Sequence, residues 1–223
     1  MKAIIPARHG SKGVIRKNLA PIGSKRLIDF TIEAGLRSQQ IDQIVVTSDA
    51  DEVLDRGRQY GVNIRNRPTQ YATDDALIDD VILDVINHYD WSADQEVILL
   101  QPTSPLRNER HIDEAYSLLG EANADGVISV IPAPGNPYKA FRTDDDGLLK
   151  GLVDNCAPFK RRQDCPMQYF ANGAIYIFRV NNFVRRKCLL EGAVVPYIMS
   201  ETDSLDIDTE SDLEIARRKL CNG

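Results

Sequence analysis

The chain has 223 residues, 43% of them apolar, with 27 Lys+Arg against 33 Asp+Glu and a net charge of −6. That length fits one domain with an ample core, and the acidic balance excludes a general nucleic-acid or membrane-surface binder, which would need a broad basic face. Cys156, Cys165, Cys188 and Cys221 form no Cys-x-x-Cys pair and His9, His88 and His111 are scattered, so free thiols are expected and no zinc spacing is present; no run approaches the roughly 18 apolar residues of a membrane span, and the first apolar stretch is too short for a secretory core, so a soluble, cytoplasmic protein is expected.

In chain order, the Val- and Ile-rich runs "KAIIPA", "QIVVTSD", "VNIRN", "EVILLQ" and "GVISVIP" predict strands. Between them, "RLIDFTIEAGLRSQ", "ADEVLDRGRQYG", "ALIDDVILDVINHYD" and "ERHIDEAYSLLGEA" space apolar residues three and four apart, as amphipathic helices do. The alternation predicts an α/β fold with a mostly parallel sheet covered on both faces. The rhythm breaks near Pro132: "PAPGNPY" opens a polar, irregular stretch, and "TDDDG" reads as a hairpin tip. Strand character returns in "QYFANGAIYIF" and "AVVPYIM". A last helix is expected over Thr209–Leu220, with Thr209 and Asp212 at its amino-terminal cap and Arg217, Arg218 and Lys219 at its negative carboxyl-terminal end.

Two stretches point to chemistry. "IIPARHGSKGVIRKNL" (Ile4–Leu19) leaves the first predicted strand at the edge where open parallel sheets bind ligands. Gly10 and Gly13 let the backbone approach a ligand, and Arg8, Lys12 and Lys17 offer charge-assisted hydrogen bonds to an anion. The pattern is neither a Walker A loop nor GxGxxG, so phosphate binding stands beside a solvated basic loop as its reading. "DSLDIDTESD" (Asp203–Asp212) places Asp206 and Asp208 two apart, on one side of an extended backbone. Two such carboxylates suit Mg²⁺, which takes the rest of its shell from water and substrate phosphates; the alternative is an acid-rich helix start, which accounts for Glu210 and Asp212 better than for the earlier pair.

A cationic glycine loop combined with a carboxylate pair fits metal-assisted attack on a nucleoside triphosphate. "LLQPTSPLR" (Leu99–Arg107) adds neutral hydrogen-bonding groups in a proline-stiffened turn, and Ser104 lacks the GxSxG setting of a nucleophile elbow. "PFKRRQDCP" (Pro158–Pro166) and "RRKC" (Arg185–Cys188) are basic runs that read as solvated segments, the former also as a grip for a carboxylate.

These pieces, with "NRPTQYATDDA", "KRRQD", "NGAIYIF" and "YIMSETDSLDIDTESDL", resemble the acylneuraminate cytidylyltransferases, the CMP-sialic acid synthetases, over nearly the whole chain. The resemblance implies a Rossmann-like nucleotidyltransferase fold acting as one unit over residues 1–223, with a dimerisation arm after the fifth predicted strand, at about 137–171. It implies attack of the anomeric hydroxyl of a nine-carbon 2-keto sugar acid on the α-phosphate of CTP, with Mg²⁺ as cofactor, pyrophosphate released and a homodimer formed. By position it assigns Arg8, Ser11, Lys17, Asn18 and Arg67 to the nucleotide, with Lys17 stabilising charge at the α-phosphate. Gln101, Ser104, Lys139, Arg162, Asn172 and Tyr176 fall on the sugar side, Arg162 coming from the arm. Asp206 and Asp208 match the metal aspartates, with Asp208 the candidate base.

Departures from the pattern occur at Asp75–Ile78, where relatives carry serines near the cytosine, and at Phe170 and Ala171 before Asn172. Legionaminic, pseudaminic and eight-carbon Kdo acids are the alternative substrates, and a catalytically silent sugar-nucleotide-binding module is the alternative of a different class.

Overall fold

The structure is a computed structural model that describes residues 1–10, 13–73, 75–190 and 192–221. Its elements in chain order are β1 (Lys2–Pro6), β2 (Pro21–Ile22), β3 (Lys25–Arg26), α1 (Leu27–Arg37), β4 (Gln43–Ser48), α2 (Asp51–Gln59), β5 (Asn63–Asn66), α3 (Ile78–His88), β6 (Glu96–Leu99), α4 (Glu109–Glu121), β7 (Gly126–Pro132), β8 (Phe141–Thr143), β9 (Leu149–Gly151), β10 (Tyr169–Arg179), α5 (Val180–Arg186), β11 (Val194–Ile198) and α6 (Glu210–Cys221).

The main sheet has the order β11-β7-β10-β6-β1-β4-β5. All neighbours are parallel except β10, which runs antiparallel to β6 and β7. The central strands are apolar throughout because helices cover both faces. Successive residues alternate between two cores: Ala3 and Ile5 of β1 pack with Ile28, Ile32, Ile112 and Leu119 of α1 and α4, whereas Ile4 packs with Ile82, Val85, Ile86 and Phe183 of α3 and α5.

A third, smaller apolar cluster decides where the site lies. Val14 from the loop after β1, Ile22, Leu27, Ile207, Leu213 and Ala216 of α6 pack together, each nearly sealed from solvent. This cluster clamps the carboxyl-terminal segment onto the amino-terminal loop. The start of α6 is fixed by a reciprocal cap, in which Thr209 N donates to Asp212 Oδ2 at 2.7 Å and Asp212 N donates to Thr209 Oγ1 at 3.3 Å. The basic triplet lies at its carboxyl-terminal end, as expected, and also ties the helix to its surroundings. Arg217 Nε donates to the Pro21 carbonyl, Lys219 Nζ donates to the Thr202 carbonyl, and Arg218 pairs with Glu214.

After β7 the chain leaves the sheet as an arm and re-enters it at β10, carrying the β8–β9 hairpin around the "TDDDG" turn. Sequence periodicity did not mark α5, whose seven residues span barely two turns. It also did not mark β2 and β3, two residues each, which form a small ribbon before α1.

Candidate active site

The order of the strands opens a crevice. From β1 the chain winds outward through β4 to β5, then returns to place β6 on the other side of β1. The loops leaving β1 and β6 therefore diverge at their carboxyl ends, the position where open α/β sheets hold ligands. A cavity of ≈ 300 Å³ lies there, its walls including Arg8, Lys17, Asn18, Arg67, Gln101 and Thr103.

The loop after β1 supplies the cationic wall. Asn18 Nδ2 donates to the Arg8 carbonyl at 2.9 Å and Arg8 Nη1 donates to the Thr73 carbonyl at 3.4 Å. Lys17 Nζ donates to the Ile207 carbonyl at 2.6 Å and to Asp208 Oδ1 at 3.0 Å. Gly13 meets the same segment: a Cβ there would lie 1.9 Å from the Asp208 carbonyl oxygen, so only glycine permits this approach. Ser11 and Lys12 lie outside the described residues.

Arg67 follows β5 and is buried, with Nη2 donating to the Thr47 carbonyl at 2.9 Å. Burial pulls its pKa down to about 10, opposed by Asp49 and reinforced by Arg8. Asp49 also accepts from His9 N at 2.7 Å, joining the loop after β1 to the end of β4.

On the β6 side, Gln101 lines the cavity while Ser104 is fully buried. They face a bulge in β10, where the register shifts between Ala171 and Tyr176. At its centre Gly173 has φ +77°, and a Cβ there would lie 3.2 Å from Gln101 Oε1 and 3.8 Å from both Ser104 Oγ and Asp206 Oδ2. Asn172 sits beside it with its amide committed to the fold. Its Oδ1 accepts from Ser129 Oγ at 2.6 Å and from Ala174 N at 3.3 Å, and its Nδ2 donates to Ser204 Oγ at 2.9 Å and to Met199 Sδ at 3.2 Å. Those contacts fill the hydrogen-bonding capacity of the amide, so Asn172 shapes the bulge. Tyr176 pairs across β6 with Leu99, and burial, with Asp206 nearby, raises its pKa.

Ile207 is buried between two exposed aspartates, so alternation turns Asp206 and Asp208 outward together. Ile207 N donates to the Thr103 carbonyl at 2.9 Å, tying this segment to the loop after β6. Desolvation raises the pKa of Asp206; the Thr103 hydroxyl and Lys17 oppose the shift and Asp208 adds to it. Among the described residues no cluster of three or more His, Cys, Asp or Glu forms a self-sufficient metal cage. A pair of carboxylates fits an ion that completes its shell with water and phosphate oxygens.

Lys139 and Arg162 lie in the arm, away from this cavity. Lys139 Nζ donates to the carbonyls of Pro158, at 2.8 Å, and Lys160, and Arg162 is exposed. Within one chain they do not join Gln101 and Tyr176.

The cytidylyltransferase family model matches residues 2–204. The chain belongs to the cytidylyltransferase family. It is 33% identical over 211 residues to an N-acylneuraminate cytidylyltransferase of Streptococcus agalactiae serotype V, which covers 94% of this chain and 50% of the relative. An N-acylneuraminate cytidylyltransferase of Escherichia coli O18:K1:H7 is 33% identical over 96% of this chain and 50% of its own length. The chain thus spans about half the length of these curated relatives. A CMP-N,N'-diacetyllegionaminic acid synthase of Legionella pneumophila is 31% identical over 98% of this chain and 95% of its own length. Among solved structures, CMP:2-keto-3-deoxy-manno-octonic acid synthetase complexed with CTP superposes with a TM-score of 0.70 at 17% identity, covering 99% of this chain and 98% of that one. At that identity the likeness shows the Rossmann-like fold.

Within this cytidylyltransferase, two residues of the site carry signals that composition and spacing did not expose. Gly173 is needed for contacts made across the fold, and Gly13, expected to allow a close backbone approach to a ligand, allows one to the Asp208 carbonyl. Asp49 is one acid among many in the sequence, and only the parallel pairing of β1 with β4 brings it to His9.

Proposed function

We propose that this chain is a nucleotidyltransferase that joins CMP from CTP to the anomeric hydroxyl of a nine-carbon sialic-type 2-keto acid and releases pyrophosphate. The observation that carries this reading is the seat of Lys17, on the cavity wall and 3.0 Å from Asp208. A cation there faces phosphate on one side and the paired acids on the other.

Arg8 and Lys17, with the backbone around Gly10, bind the triphosphate, and Lys17 neutralises charge that builds at the α-phosphate. Arg67 and the walls formed by Tyr71, Thr73, Ala76, Ile78 and Val81 enclose the rest of the nucleotide. Gln101 and Tyr176 orient the sugar acid across the cleft, and Asp208 takes the proton of its hydroxyl. Asp206 and Asp208 would hold Mg²⁺, which supplies Lewis-acid polarisation of phosphate oxygens.

The arm completes the account. It exposes Leu149 at 65%, Phe159 at 81% and Met167 at 75%, a concentration of apolar surface unusual for a free monomer. A second copy covering it would form a homodimer in the cytoplasm and bring Lys139 and Arg162 to the partner's sugar site.

A second reading differs only in the acid. The legionaminic synthase of Legionella is 31% identical to this chain, against 33% for the sialic relatives, so a di-N-acylated nine-carbon acid stands beside the N-acylneuraminate as a substrate. Incubation with CTP, Mg²⁺ and a panel of nine-carbon acids tests both: pyrophosphate and a CMP-sugar should appear with at least one acid. Silence across the panel, with CTP still bound, would identify a binding module instead.

A further inference from the structure

Arg107 closes the "LLQPTSPLR" loop and is 1% exposed. Among the described residues it has no carboxylate partner; burial alone acts on it, lowering its pKa to about 9. Its Nη2 donates to Thr31 Oγ1 of α1 at 2.7 Å and to the Gln101 carbonyl at 3.3 Å, while Nε and Nη1 have no hydrogen-bond partner. An unpaired guanidinium in the interior is costly and would not be retained for stability.

Its contacts lead to the cleft. The Gln101 carbonyl that it holds begins the loop, accepting also from Ser104 N at 3.4 Å, and Arg107 N donates to the Ser104 carbonyl at 3.3 Å. Between these bonds lies Thr103, whose carbonyl accepts from Ile207 N at 2.9 Å. The Ile207 carbonyl in turn accepts from Lys17 Nζ at 2.6 Å. One buried arginine thus anchors the loop that presents Gln101 and that tethers the segment bearing Asp206 and Asp208.

We propose that Arg107 is a positioning residue: braced on Thr31, it fixes the 101–107 loop so that Gln101 faces the sugar acid and Thr103 seats the aspartate pair. The kinetic consequence rests on the function proposed above; the structural link does not. Two bonds from Nη2 distinguish this from mere filling of space, since an apolar side chain of similar volume would fill the interior and leave Gln101 unheld.

The test uses Arg107→Met, Thr31→Val and Thr31→Ser, read by amide hydrogen exchange and by kinetics. In Arg107→Met and Thr31→Val, exchange at the Ile207 amide should accelerate at least tenfold relative to the Leu100 amide, which bonds Ile4 in the sheet and reports global stability. The KM for the sugar acid should rise at least fivefold, with CTP affinity within twofold of the parent. Thr31→Ser keeps the hydroxyl and should restore both. If Arg107→Met does not fold, Thr31→Val decides. Unchanged Ile207 protection in a folded variant overturns the proposal even if the enzyme is active. Accelerated exchange in a chain that activates no acid upholds it while the proposed reaction fails.

Discussion

Lys17 and Asp208 are 191 positions apart in the chain and 3.0 Å apart in the fold. Burial of Val14 and Ile207 in one apolar cluster brings them together, and the close approach of Gly13 to the Asp208 carbonyl allows it. Packing rather than the ion pair holds the arrangement, because Asp208 is 74% exposed and such pairs contribute little. Under the proposed function the pair is a cation held beside the acids at the place where phosphate would bind.

Gly13→Ala tests the approach of the two segments. The added methyl would overlap the Asp208 carbonyl oxygen, so the loop or the aspartate segment must shift. A loss of about 1–3 kcal/mol in stability is expected, with a fall of roughly tenfold or more in kcat. Thermal melting and steady-state kinetics measure both, and Gly120→Ala, on α4 outside the cavity and meeting no neighbour, serves as the control.

The elevated pKa of Asp206 gives a signed pH effect. Desolvation makes the folded chain hold this proton to higher pH than the unfolded chain does. Stability from this group is present at low pH and is lost as pH rises from the ordinary carboxylate value through the folded one. Asp206→Asn removes that loss. In buffer without divalent cations the variant should melt above the parent at neutral pH and match it at low pH, while turnover falls sharply.

Much of the fold was legible because the strands are short Val- and Ile-rich runs and the longer helices each present one clean period. The alternation of "KAIIPA" and similar runs with amphipathic stretches marks the mostly parallel sheet, and Thr209 with Asp212 marks the start of α6. The candidate site was legible where charge concentrates, at Arg8, Lys17, Asp206 and Asp208, which the fold gathers around one cleft. It was not legible where function rests on the absence of a side chain or on distant contacts. "NG" at Asn172–Gly173 carries no sign that it forms a bulge opposite Gln101. Arg107 looks like any surface arginine after a proline turn until its burial against Thr31 is seen.

The arm predicts a change of assembly. Phe159 is 81% exposed and packs on Phe141 of the hairpin. Phe159→Asp places a charge in the proposed interface, so light scattering should report a dimer for the parent and a monomer for the variant. Turnover should fall with it, because Lys139 and Arg162 no longer reach a partner's cleft. A dimer of unaltered stability would remove the arm from the interface.

The most direct test of the central claim is a double-mutant cycle on kcat with Lys17→Met and Asp208→Asn. If both groups act on one α-phosphate in one cleft, Lys17→Met alone should cost about 10²–10³ in kcat, and the double variant should cost far less than the product of the two single losses, a coupling of about 1 kcal/mol or more. Strictly multiplicative losses, or a Lys17→Met enzyme with parental kcat, would contradict a shared reacting centre.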